Sequence, residues 1–146
     1  MVTRLEETRG CLNALIRHSS RTVSRYYGDV LEPTGLRSTQ FTMLAALAQT
    51  GPIPLTKLAS LIGVERSALA RNLKPLERSG FVSTYTGDDK RVRMVKITRT
   101  GREKLRKALP YWAKAQSRLA QVLGSGDVTQ LVGMLRNVTE KIDTKR

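Results

Sequence analysis

Residues 55–74 read LTKLASLIGVERSALARNLK, and the order of small, apolar and basic positions here decides the fold. Leu55, Leu58, Ala59 and Ile62 recur at helical spacing for about two turns. Gly63 follows where a residue without Cβ can take a left-handed cap. Val64 and Glu65 turn the chain, and a second amphipathic run extends from about Arg66 to Ser79. Leu69, Leu73 and Leu76 form its inward stripe, while Arg66, Ser67, Arg71, Asn72, Lys74 and Arg78 take the remaining surface. Ala59 is small enough to let two helices approach, and Gly63 makes the turn between them. That is the plan of a helix-turn-helix.

Downstream, Phe81–Thr86 and Arg91–Thr98 are β-rich runs around a Gly87-Asp88-Asp89-Lys90 turn, which predicts a basic hairpin. Thr98 can cap a helix whose buried stripe is Leu105, Leu109, Trp112, Leu119 and Leu123, ending at Gly124-Ser125-Gly126. Asp127 and Gln130 stand at capping-box spacing before a last helix. Its Val128, Leu131, Leu135, Val138 and Ile142 form a coiled-coil-like seam that wants a partner helix. Upstream, a long amphipathic helix is expected from near residue 4 to Leu31, stopped by Pro33 and Gly35. A shorter one starts at Ser38 and stops at Gly51-Pro52. Pro75 and Pro110 lie inside expected helices and should kink or break them. The reading is a mainly α fold of six helices with a small β-hairpin wing.

Charge narrows the partner. The 146 residues carry 26 Lys and Arg against 12 Asp and Glu, a net +14, with 40% hydrophobic residues. The apolar fraction is too high and too evenly spread for a disordered chain. The positive charge points to a polyanion, because neutralised phosphates release counterions. No run approaches the roughly 18 apolar residues of a membrane span, and Arg4, Glu6 and Glu7 are not a signal core, so a cytoplasmic location is expected. A membrane-surface helix would expose large apolar residues opposite its cations. An RNA reader would offer aromatics for stacking, whereas the aromatic content is 5% with none in the basic run from Arg66 to Ser79. Neither a phosphate loop nor a nucleophile elbow appears, so no enzyme is expected. One cysteine and one histidine make neither a disulfide framework nor an ordinary zinc site, and no metal or cofactor is expected. A basic helix followed by a basic hairpin suits double-stranded DNA, the helix in a major groove and the hairpin in the adjacent minor groove.

The chain resembles the MarR family of winged helix-turn-helix transcriptional regulators. Gly35-Leu36 with Gln40-Phe41, Leu58-Ala59 with Gly63-Val64, and Leu76-Glu77-Arg78-Ser79-Gly80-Phe81-Val82 carry the likeness. So does Asp89-Lys90-Arg91 with Ile97-Thr98 and Gly101, its most specific block. Pro54 and Pro75 depart from the pattern. The resemblance implies one MarR-type domain over 1–146, with a DNA-binding lobe at 36–98 and dimerisation helices at 1–35 and 99–146. It implies a homodimer, and the expected role is a repressor or activator, with a repressor favoured, that binds a pseudo-palindromic operator and is released by a small-molecule or oxidative signal. Arg91 would be the wing-tip residue, its guanidinium held by Asp89 and flanked by Lys90 and Arg93. Arg66, Ser67, Arg71, Asn72 and Lys74 would meet base edges or phosphates, and Ser38, Thr39 and Gln40 would donate to phosphates. A nonspecific basic module for nucleic acid or anionic surfaces is the alternative.

Two signals are open. A small aromatic or carboxylate effector could occupy the cleft that the resemblance implies, with Arg17, His18, Arg21, Tyr26 and Trp112 as candidate lining. Alternatively Cys11, near the start of the first helix, could be oxidised. Glu7 one turn away disfavours its thiolate, and Arg4 and His18 stand about two turns off.

Overall fold

The structure, a computed structural model, describes residues 5–143. Six α-helices and three strands are seen among them: α1 (Leu12–Leu31), α2 (Ser38–Thr50), β1 (Ile53–Pro54), α3 (Leu55–Ile62), α4 (Arg66–Arg78), β2 (Val82–Thr86), β3 (Arg93–Ile97), α5 (Arg99–Leu123) and α6 (Ser125–Asp143). The core gathers around α2, whose Met43, Leu44 and Leu47 are fully buried with Leu31 of α1, Leu58 of α3, Leu76 of α4 and Val95 of β3. Each such side chain contributes about 1.5–3 kcal/mol on leaving water, so α2 is the post on which the other elements hang.

Several expectations need correction. The first helix is not continuous from residue 4. A 3-10 segment, Leu5–Gly10, precedes α1, and Cys11 between them is extended with φ −60° and ψ 111°. Gly10 is the physical reason, since glycine costs about 1 kcal/mol relative to alanine inside a helix. The expected start near Arg4 lies outside the described residues. The hairpin is part of a three-stranded antiparallel sheet in the order β1-β3-β2, with Ile53 opposite Val95 and Pro54 opposite Met94. A two-residue strand leaves no alternation to read, and proline is tolerated on this edge because only one side of β1 is paired. The turn is also longer than Gly87–Lys90, since β3 begins only at Arg93.

Neither proline breaks its helix. Pro75 lies in the last turns of α4 on an exposed face, where water can take the Arg71 carbonyl that loses its partner. α6 starts three residues earlier than expected, at Ser125, the Val128 N–H donating to Gly124 O at 3.1 Å, so Asp127 sits within the first turn and is not its cap. The stripe on α5 is buried at Leu105 only; Trp112 and Leu119 are half-buried, and Leu109 and Leu123 are 43% and 46% exposed. The seam on α6 is likewise open, with Leu131, Leu135 and Ile142 exposed. Exposed large apolar side chains therefore concentrate on α1, α5 and α6.

One joint ties the sheet to α5. Thr98 caps α5 by accepting the Gly101 N–H on its hydroxyl at 3.0 Å, while that hydroxyl donates to Gly80 O at 2.5 Å. The Thr98 N–H donates to Phe81 O at 3.0 Å. A Cβ at Gly101 would stand 2.0 Å from Phe81 O and 2.9 Å from Cγ1 of Ile97. Gly101→Ala is therefore expected to destabilise the protein by about 2–3 kcal/mol, read as a fall of several degrees in Tm. An unchanged Tm would mean that the joint is slack.

Candidate nucleic-acid interface

α3 closes on Gly63 in the left-handed conformation (φ 69°, ψ 39°), with the Val64 N–H donating to Ala59 O at 3.0 Å. Glu65 is extended and provides the carbonyl that accepts the Leu69 N–H at 2.9 Å, which starts α4. At about 100° per residue, Ser67, Arg71, Lys74 and Arg78 fall opposite the buried Leu69, Leu73 and Leu76, and all four are exposed. Arg66 stands at the edge toward the wing. Asn72 lies at the other edge, half-buried against α2. Its Oδ1 accepts from the Thr39 hydroxyl at 3.1 Å, and its Nδ2 donates to Ala68 O at 2.9 Å.

The start of α2 differs from the expected row of phosphate donors. Gln40 is buried, and its Oε1 accepts the Arg37 N–H at 3.0 Å as a helix cap, which holds the side chain back against its own helix start. Ser38 is half-buried and Thr39 exposed.

The wing tip is organised around Asp89. Its carboxylate accepts the Arg91 backbone N–H at 3.0 Å and both Nε and Nη2 of the Arg91 guanidinium at 3.2 Å. The pair is bidentate, with the Arg91 side chain 90% exposed. These bonds hold the Asp89 carboxyl below its ordinary value. Lys90 is exposed beside it. Between α4 and the wing runs a groove of about 480 Å³ whose lining includes Arg66, Lys74, Arg91 and Arg93. Two of its residues escaped the sequence reading. The Arg93 guanidinium donates to the Thr84 hydroxyl at 3.0 Å, and that hydroxyl in turn donates to the Glu77 carboxylate. Nothing in the local pattern marks Glu77 or Thr84, because only tertiary packing of β2 on α4 brings them together. Lys96 sits over the Tyr85 ring at 5.3 Å.

Known proteins share this arrangement. The sequence profile of the MarR family matches residues 36–92. The M. tuberculosis transcriptional regulator MosR, solved in complex with DNA, superposes with a TM-score of 0.82 at 32% identity, covering 93% of this chain and 98% of that one. The chain belongs to the MarR family. YwoH of Bacillus subtilis (strain 168), an uncharacterized HTH-type transcriptional regulator, is 34% identical over 89 residues, 61% of this chain. That match spans 65% of YwoH. A mutant E. coli MarR complexed with operator DNA shares the fold at a TM-score of 0.80 and 24% identity, covering 93% of this chain and 99% of its own. The curated relatives are transcriptional regulators.

A cleft of about 680 Å³ separates α1 and α5 from α2 and α3. Of the five expected lining residues it contains only Trp112, which stacks on Phe41 at 6.2 Å between ring centroids. Arg17, His18 and Arg21 are exposed and lie N-terminal to Val23, the first α1 residue of the lining. Tyr26 is turned to α5, its hydroxyl donating to Ala115 O at 3.4 Å, and Tyr27 lines the cleft in its place. Tyr27 also donates to Gln116, and burial raises its phenol pKa. Among the described residues the lining is apolar with hydroxyls and an amide, and none of them brings a charged side chain to it. Cys11 is a free, exposed thiol at the N-terminal end of α1.

The Asp89–Arg91 pair gives a pH test. Its folded carboxyl value is depressed, so any ordering of the wing tip is present above the unfolded value near 4 and is lost as pH falls through the folded one. Carboxyl-carbon NMR titration should find Asp89 below the ordinary range, and Arg91→Ala should move its midpoint upward. An unmoved midpoint would show that the guanidinium is not the cause.

Proposed function

We propose that this MarR-family chain is a homodimeric, DNA-binding repressor. The carrying observation is the cationic rim of the α4–wing groove, where Arg66, Lys74, Arg91 and Arg93 converge beside the exposed Ser67, Arg71 and Lys90. Arginines on an exposed helix face suit guanine edges and phosphates, and a wing-tip arginine suits a narrow, electronegative minor groove. The DNA complex of MosR supports the same partner, duplex DNA. Regulation and not catalysis is the role, and a cytoplasmic location goes with it.

The open apolar faces of α1, α5 and α6 support a dimer, since Leu12, Leu15, Leu131, Val132, Met134 and Leu135 are each between 42% and 61% exposed in the single chain. A pair of subunits would set two α4 helices about one helical turn apart on a pseudo-palindromic site. Release follows if a signal favours a dimer with another spacing. The uncharged cleft lining favours a neutral, mainly aromatic effector over a carboxylate, and oxidation of the exposed Cys11 is the competing signal.

Two measurements test this. Fluorescence titration of the duplex upstream of the gene against a scrambled duplex, at two salt concentrations, should show preferential binding to the native one. Arg91→Ala should weaken it about tenfold and reduce the magnitude of the log K against log salt slope by about one per subunit. Equal, steeply salt-dependent binding to both duplexes would leave only the nonspecific basic module. Separately, Leu131→Asp with Leu135→Asp should convert a dimer to a monomer by light scattering and abolish tight DNA binding; a dimer that persists places the interface elsewhere. Addition of peroxide to the DNA titration distinguishes the Cys11 route, which requires loss of binding.

A further inference from the structure

Thr39 of α2 and Asn72 of α4 are the two residue types one would assign to a phosphate donor and an adenine reader. The geometry points to a different role: they are a positioning pair that fixes the rotation of α4 about its own axis, and neither reads DNA. Asn72 stands at the edge of the buried stripe and not on the outward face with Ser67, Arg71 and Lys74. Its carboxamide is committed at both ends, the oxygen to the Thr39 hydroxyl at 3.1 Å and the nitrogen to Ala68 O at 2.9 Å. A bidentate contact to adenine needs that oxygen and that nitrogen on one base edge; the amide keeps one further proton and lone pair, but its bonds to Thr39 and Ala68 fix its plane at the half-buried edge of α4, so swinging it outward to a base gives them up. The Thr39 hydroxyl has a single proton, already given to Asn72, and cannot also donate it to a phosphate.

The bond also supplies what apolar packing does not. Leu69, Leu73 and Leu76 set which face of α4 is buried, but apolar contact carries no angular preference of its own. The Ala68–Asn72–Thr39 chain is directional and links residues 33 apart in sequence. With Asn72 held against α2, Ser67 and Arg71 are held outward. A small rotation of α4 would swing all the outward side chains together.

This inference rests on the DNA-binding reading, and the test separates the two. A duplex enriched by wild-type protein from a random library, with all its single-base variants, is titrated with wild type, Thr39→Val, Thr39→Ser, Asn72→Ala and the Thr39→Val/Asn72→Ala double variant. The expected result is a loss of about tenfold for Thr39→Val and for Asn72→Ala, spread evenly over base positions. The double variant should lose no more than either single one, and Thr39→Ser should restore wild-type binding. The profile over base positions is a ratio, so it stays readable if a variant is partly unfolded. If Asn72→Ala relaxes preference at one base pair while Thr39→Val does not, or if the two losses multiply, the positioning role is overturned. Enrichment of no sequence by wild type would instead remove sequence-specific DNA binding, and this inference with it.

Discussion

The contact between the Gly101 backbone and the Phe81 carbonyl is the constraint on which the rest depends. Phe81 follows α4 and begins the wing, Thr98 ends the wing, and Gly101 lies in the first turn of α5. Three functional parts therefore meet within a few ångströms. The Thr98 hydroxyl bridges them, donating to Gly80 O and accepting from Gly101 N–H. A side chain larger than hydrogen at 101 cannot coexist with Phe81 O at its present place. The direction in which α5 leaves the sheet is thus fixed relative to α4 and the wing.

The distribution of charge follows a second logic. Residues 36–98 carry ten Lys and Arg against four Asp and Glu, and two of those acids are used to place cations. Asp89 holds Arg91 directly, and Glu77 holds Arg93 through Thr84. An exposed ion pair contributes little stability, so the value of Asp89 is the geometry it imposes on a guanidinium that remains 90% exposed. A bidentate hold leaves the rest of the guanidinium free to donate.

Much of this was legible in the sequence because it depends on local chemistry. Gly63 as a left-handed cap, Thr98 as a helix cap, and the leucine stripe of α4 are each decided by neighbours within four residues. The Asp89-Lys90-Arg91 block was readable for the same reason. What escaped depends on tertiary packing. β1 is a strand only because β3 lies beside it, and the Glu77–Thr84–Arg93 chain exists only because β2 packs on α4. The cleft lining on α1 was misplaced because periodicity gives the face of a helix but not how far along its axis a neighbour reaches. Arg17, His18 and Arg21 fell short on that account. The burial expected for Leu109 and Leu123 failed differently, since an apolar stripe does not say whether its cover comes from its own chain.

α2 is the wall shared by all of these parts. Its Ser38, Thr39 and Thr42 line the cleft, its Leu44 and Leu47 fill the core, and Thr39 is bonded to Asn72 of α4. A protein interior packed near crystal density transmits strain, so any shift of α2 would be felt by α4, which packs on it. Thr39 sits on both sides of that transmission, facing the cleft and bonded to Asn72. An occupant nevertheless shifts DNA affinity only as far as it binds the DNA-competent and the displaced arrangements unequally. A filled cleft that fits both equally well would leave regulation untouched, however tightly the occupant is held.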